Sequence, residues 1–299
     1  MKVIITGAAG QLGQALRRCV PAAIAGEPVE LISTSRSGGE GALALDLADA
    51  AACRALVEQH KPDWLINAGA YTAVDKAESE PELARAVNAG APAAFAEALQ
   101  ATGGHLLQVS TDFVFNGAQG SPYRPDQPVD PLGVYGATKA AGETAAAAAL
   151  TAPQLCILRT SWVYGPVGKN FLLTMLRLLR EREQLGVVAD QVGCPTATQG
   201  LAQACWAVLE HRVSGLQHWC DAGAASWYDF AVAIAELGQV AGLLENPARI
   251  NPITTADYPT PAQRPSYSLL ECSGTRQGLQ LPPLHWREAL RQVIADVLA

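Results

Sequence analysis

Short apolar runs alternate with longer stretches of helical periodicity through the first half of the chain. KVIIT (2–6), VELIST (29–34), DWLINA (63–68), HLLQVS (105–110) and LCILRT (155–160) are near-continuous runs of Val, Ile and Leu rather than strict in-out alternations. Strands buried on both faces read this way, which predicts parallel strands covered by helices. Helical patterns begin near Gln11, Asp49, Glu82 and Gly133, with Asp49 a natural N-cap. Strand, helix, strand in repetition closes through right-handed crossovers, so the expected fold class is α/β with a doubly wound parallel sheet.

After RTSWVYGP the pattern changes. NFLLTMLRLLRERE (170–183) reads as a helix, LGVVADQVGCPTAT follows, and another helix runs to about His211, with later helices in SWYDFAVAIAEL and WREALRQVIADVL. Residues 247–268 are Pro-rich with little periodicity and read as an ordered loop around a site, or as a linker. The expected organisation is a first domain over 1–165, with part of 186–215 returning to it, and a smaller, discontinuous domain over 166–299. The run ETAAAAALTA is simple in composition but continues the helix that begins near Gly133.

Composition narrows the function classes. The 299 residues carry 28 acidic and 21 basic side chains, a net charge of −7, so no general attraction to nucleic acid or anionic lipid is expected. Although 49% of the residues are hydrophobic, no apolar run approaches the roughly 20 residues of a membrane span. Met1 and Lys2 lead straight into a strand-like run, leaving no room for a secretory leader, and the chain reads as soluble and cytoplasmic. Seven cysteines, an odd count with no close pair, argue against a disulfide framework or a zinc site, and no metal ligands are assigned.

The first strand runs directly into TGAAGQLG, with Gly7, Gly10 and Gly13 around Gln11 and Leu12, and then into a helix. Glycines suit a tight turn, a close backbone approach to a pyrophosphate and a helix packed hard on its strand, while the helix N-terminus faces the anion. The spacing is GxxGxxG rather than GxGxxG, but its place after a chain-initial strand predicts a Rossmann-type dinucleotide site. The second strand ends in STSRS, without the usual ribose-binding carboxylate. Ser35 and Arg36 there suit a 2′-phosphate, which favours NADPH, with NADH as the alternative. In LALDLAD, Asp46 is placed to bond the adenine amino group, with Leu47 beside it.

PLGVYGATKAAGE sets Tyr135 and Lys139 four apart on a predicted helix, hence on one face. A phenol ionises near pH 10, and a neighbouring ammonium is expected to favour the phenolate while also hydrogen-bonding a nicotinamide ribose. QVSTDFVFNG follows the fifth strand-like run and puts Ser110, Thr111 and Asp112 at a strand carboxyl end, where open α/β sheets bind ligands. Tyr135, Lys139 and Thr111 are the candidate catalytic group.

These blocks, with NAGAYTAVDKAESEPE, RTSWVYG, DQVGCPT, SWYDFA and YPTPAQRPSYSLLE, resemble the extended short-chain dehydrogenase/reductases and, within them, the dTDP-4-dehydrorhamnose reductase family. The resemblance runs from Lys2 to the C-terminal helix. It implies NADPH-dependent reduction of the C4 ketone of dTDP-6-deoxy-L-lyxo-4-hexulose. In that reading Tyr135 protonates the C4 oxygen, Lys139 assists, and Thr111 hydrogen-bonds the same oxygen. Ala68, Gly69, Ala70 and Tyr71 would line the cofactor. Val74, Asp112 and Trp162 would meet the sugar, and Arg264 the diphosphate. Related dehydratases carry an Asp-Glu pair after the catalytic Thr, whereas Phe113 follows Asp112 here, so elimination lacks its second carboxylate. Some relatives dimerise through acidic side chains sharing magnesium, one of them on the first helix. Gln14 and Ala15 occupy that turn, which argues against a dimer of that kind and leaves monomer and homodimer both open. Tyr267 stands where relatives often have a smaller residue, at the expected pocket edge. Alternatives are C4 epimerisation with retained NAD, reduction of another ketosugar, and a regulatory subunit of the methionine adenosyltransferase accessory type.

Overall fold

The computed structural model describes residues 1–39 and 41–298. Its centre is a seven-stranded sheet built from β1 (Lys2–Thr6), β2 (Glu30–Ser35), β3 (Ala42–Ala44), β4 (Trp64–Asn67), β5 (His105–Thr111), β6 (Leu155–Thr160) and, after an excursion, β8 (Gly215–His218). The order across the sheet is β8-β6-β5-β4-β1-β2-β3, and every pairing is parallel. The chain builds outward from β1 in one direction and then, from β4 onward, in the other. That reversal opens a crevice at the carboxyl ends of β1 and β4, the place where such sheets take ligands.

Helices cover both faces. On one, α1 (Gln11–Arg18) lies against α6 (Thr198–His211), with the buried Trp206 indole donating to Leu16 O at 3.2 Å. On the other lie α2 (Ala50–His60), α3 (Ala91–Thr102) and α4 (Val134–Ala149), which enclose Phe95, Leu99, Leu65 and Leu106. Asp49 caps α2 through the amides of Ala51 and Ala52, so a side chain satisfies otherwise orphaned helix donors.

A further core lies away from the sheet, among α5 (Phe171–Glu181), α7 (Trp227–Val240) and α8 (Trp286–Leu298), around Leu172, Phe230, Ile234 and Leu290. Asn170 caps α5, and Ser226 with Asp229 makes a reciprocal capping box at the start of α7. Beside these helices β7 (Gln184–Val188) pairs in parallel with β9 (Arg249–Ile253). The second of those strands falls inside the segment read from sequence as loop or linker. Pro252 hides it from a pattern search, yet a two-stranded sheet leaves one edge unpaired, and a proline costs no ladder bond there. Among the described residues no helix is long and apolar enough to cross a membrane.

Candidate active site

Three carboxyl-terminal strand tips are tied together by a buried polar ladder. Thr6 Oγ1 donates to Asn67 Oδ1 (2.5 Å), Asn67 Nδ2 to Gln108 Oε1 (2.8 Å), and the Gly69 amide returns to Thr6 Oγ1 (3.2 Å). Each polar group is satisfied by its neighbour strand, so β1, β4 and β5 hold one registry where the crevice begins.

The Gly-rich turn forms the first wall. Gly7 has φ +67°, and a Cβ there would lie 2.6 Å from Gly69 Cα; at Gly13 it would lie 2.2 Å from Gly7 O. Only glycine permits both the backbone angle and the close approach, so the amides at the start of α1 border the cavity without side chains in the way. The crevice opens into a cavity of about 690 Å³. Gly7, Gly10, Gln11 and Leu12 line it on one side, and Ser35, Arg36 and Leu47 extend it past the tip of β2. Ala68, Gly69 and Ala70 form its floor beyond β4.

Three expected cofactor residues lie elsewhere. Gly13 packs beneath the turn rather than on the cavity wall. Asp46 is exposed, with its carboxylate accepting from the Ala48 amide at 3.0 Å. Tyr71 directs its hydroxyl to Glu80 (2.8 Å). The backbone of Tyr71 is clamped by Asn88, whose Oδ1 accepts from its amide (2.9 Å) and whose Nδ2 donates to its carbonyl (3.1 Å).

Strand β5 and helix α4 bring Thr111, Tyr135 and Lys139 to the middle of the cavity. Lys139 Nζ donates to Val109 O at 2.7 Å, and one turn further Glu143 accepts from Ser110 Oγ at 2.5 Å. Arg159, on β6, closes the set with Nη2 on Glu143 Oε2 at 2.6 Å. Burial pulls the Lys139 ammonium down to about 8, opposed by the Glu143 charge. Burial pushes the Tyr135 phenol up to about 12, with the Thr111 hydroxyl partly offsetting it and the Asp112 charge adding to it. The phenolate-favouring effect expected of Lys139 does not prevail here: the ammonium is engaged with the β5 backbone, and desolvation dominates. What the site holds is a protonated phenol, which is the form a proton donor needs.

Asp112 is buried beside Thr111, which donates to its Oδ1 at 3.0 Å, and the Ser268 side chain also favours the charged carboxylate. Burial raises its pKa to about 6. Phe113, where a dehydratase would place a second carboxylate, packs edge-on against Tyr135 with centroids 5.6 Å apart.

The far end of the cavity belongs mostly to the later half of the chain. Val74, Trp162, Trp227, Gln191, Arg264 and Ser268 line it. Trp162 adopts φ 45°, a costly angle for a non-glycine residue. Its indole stacks on Trp227 at 3.6 Å and 4°, and a Cβ at Gly193 would come within 2.9 Å of three of its ring atoms. The face expected to lie open to a sugar is thus largely claimed by protein. Arg264 lines the cavity but is bound in a fork to Asp75. Lys169, Gln191, Trp227 and Ser268 were not singled out from sequence. Gln11 explains how Lys169 reaches the wall, because its side chain holds Lys169 O (3.3 Å) and Asn170 Nδ2 (2.8 Å).

A doubly wound parallel sheet with a Gly-rich first turn and a Tyr-Lys helix beside the switch point defines an NAD(P)H-dependent oxidoreductase of the extended short-chain dehydrogenase/reductase type. The family model described as RmlD substrate binding domain matches residues 1–299. With relatives also matching along their whole length, the chain belongs to that family. It is 40% identical over 312 residues to dTDP-4-dehydrorhamnose reductase of Burkholderia thailandensis, covering 100% of both chains. Among solved structures it is similar to a dTDP-4-dehydrorhamnose reductase of Clostridium acetobutylicum (TM-score 0.89, 36% identity, 100% of both chains). The Bacillus anthracis dTDP-4-dehydrorhamnose reductase, solved in complex with NADP, gives a TM-score of 0.88 at 32% identity, with 99% of each chain covered.

Proposed function

We propose that the protein reduces the C4 ketone of dTDP-6-deoxy-L-lyxo-4-hexulose, giving dTDP-L-rhamnose, with NADPH as reductant. The observation that carries the reading is the meeting of Thr111, Tyr135 and Lys139 on one wall of a cavity that begins at the Gly-rich turn and ends at Arg264. Full-length identity with a protein named dTDP-4-dehydrorhamnose reductase supports it, as does the NADP in the Bacillus anthracis relative.

The residues present fit the dinucleotide. The Gly7–Leu12 turn would hold the pyrophosphate, Ser35 and Arg36 the 2′-phosphate, and Lys139 a ribose hydroxyl. Bound NADPH supplies the hydride. Tyr135, kept protonated by burial, transfers its proton to the oxygen of the carbonyl as negative charge develops there, so ketone, hydride and proton together give the alcohol. Thr111 donates a hydrogen bond to the same oxygen, and the Lys139 cation stabilises the phenolate left behind. Asp112, on the cavity wall beside Thr111, would meet the sugar. Phe113 supplies no acid or base, which leaves reduction without elimination.

Loss of NADPH absorbance on mixing with the ketosugar tests the reading. Tyr135→Phe should cut kcat by about 10²- to 10⁴-fold, the usual worth of a positioned proton donor, with cofactor affinity retained. A wild-type protein that binds NADPH normally and leaves it unconsumed would sink the assignment.

A further inference from the structure

Arg264, which the family resemblance assigns to the substrate diphosphate, lines the cavity but is already paired. Asp75, in the short helix Val74–Ala77 beyond β4, faces it end-on, with Oδ1 to Nη1 at 2.7 Å and Oδ2 to Nη2 at 2.9 Å. Nη1 also lies 2.6 Å from Ala262 O and 3.1 Å from Thr260 Oγ1, and the Ala262 amide returns to Asp75 Oδ1 at 3.2 Å.

Two explanations compete. The pair could staple the 258–268 loop, or it could aim the guanidinium. The loop beyond Arg264 is anchored without it: Val192 exchanges bonds with Ser266 O and the Ser268 amide at 2.8 Å each, and Ser266 Oγ holds Gly117 O at 3.1 Å. What the carboxylate does fix is the plane of the guanidinium. A guanidinium has five N–H donors in a rigid fork. Asp75, Thr260 and Ala262 use those on Nη1 and one on Nη2, leaving Nε–H and the second Nη2–H for a ligand. Arg264 lines the cavity and Asp75 does not, although the aspartate is the more exposed side chain, 44% against 21%.

We propose that Asp75 is a positioning residue for substrate binding, holding Arg264 so that its remaining donors meet the diphosphate oxygens of the sugar nucleotide. The inference rests on the proposed activity. A free arginine would have to be ordered at each binding event, and the carboxylate removes that cost beforehand. The Arg264 bond also holds the Asp75 carboxyl below its ordinary range, so the pair persists through neutral pH.

The test compares wild type with Asp75→Asn, Asp75→Glu, Arg264→Gln and the Asp75→Asn/Arg264→Gln double variant. Turnover of the dTDP-ketosugar and calorimetric binding of dTDP are measured with NADPH present, and melting temperature checks folding. Asp75→Asn and Arg264→Gln should each raise the ketosugar KM and the dTDP Kd about tenfold, with kcat affected far less and the NADPH KM unchanged. The double variant should be no weaker than Arg264→Gln alone, and Asp75→Glu should recover part of the loss. Unaltered or tighter dTDP binding by Asp75→Asn, in a wild type that turns over normally, overturns the inference and makes Asp75 a bystander or a competitor of the diphosphate. A wild type that neither binds dTDP nor turns over its ketosugar overturns the substrate reading itself.

Discussion

Replacing Glu143 by Gln isolates the contribution of a buried charge behind the reactive helix face. The Glu143 and Arg159 side chains are only 7% and 3% exposed. Arg159 Nε lies 3.0 and 3.2 Å from the two carboxylate oxygens, and Ser110 donates to one of them. The amide keeps the shape but removes the charge and one acceptor, leaving the guanidinium with Pro125 O, the Phe115 ring at 5.1 Å and His218. His218 stays neutral, since burial and the Arg159 cation hold its pKa down at about 3, so it adds no like charge and supplies no countercharge. Breaking one side of a buried pair costs about 3–5 kcal/mol, a large part of the roughly 5–15 kcal/mol that holds a domain folded. Urea unfolding followed by tryptophan fluorescence should show that loss as a lower midpoint. Glu143→Leu with Arg159→Met should recover most of it, because both charges are then gone. A Glu143→Gln loss under about 1 kcal/mol, or a double variant weaker than the single, would refute the argument.

Four further outcomes follow from the geometry. Lys139 loses its proton near pH 8, so kcat should fall above that pH, and Lys139→Arg should shift the limb upward because Arg stays charged; a pH-rate profile checks both. Since unfolded Lys139 titrates at 10.5, the unfolded chain holds the extra proton between pH 8 and 10.5, and this group's contribution to stability rises across that window, measurable by denaturation at each pH. Gly136→Ala would set a Cβ 2.2 Å from Phe113 O, pushing α4 off the end of β5; it should cost about 1–3 kcal/mol of stability and, by displacing Tyr135, about 10²-fold in kcat. Arg36→Ala should raise the NADPH KM about tenfold or more and leave the NADH KM nearly unchanged, which steady-state kinetics with each cofactor would show.

The sheet was legible because strands buried on both faces write their burial as continuous apolar runs, and the Gly-rich turn because Gly7 and Gly13 exclude side chains. Tyr135, Lys139 and Thr111 could be brought together before any coordinates, since each sits at a fixed offset from a strand end or helix start. The strand Arg249–Ile253 could not, as its proline and its single partner erase the usual pattern. The last strand of the main sheet, Gly215–His218, is four residues long and carries one aliphatic side chain, too little for periodicity to register. Asn88 clamps Tyr71 from 17 residues away and Asp75 meets Arg264 from 189 residues away, so their meaning exists only once the chain has folded. The same holds for Tyr135, whose proton affinity answers to the walls around it rather than to the lysine one turn along.

Val109, Ser110 and Thr111 are consecutive on one strand, and they meet Lys139, Glu143 and Tyr135 from successive turns of one helix. The proton-handling groups are thereby riveted into a single rigid piece, whereas Trp162, Gln191, Trp227 and Arg264 arrive on separate segments of the later chain. Changes in those segments can reshape what the cavity admits without disturbing how a proton is delivered, so selectivity is the property this architecture leaves free to drift.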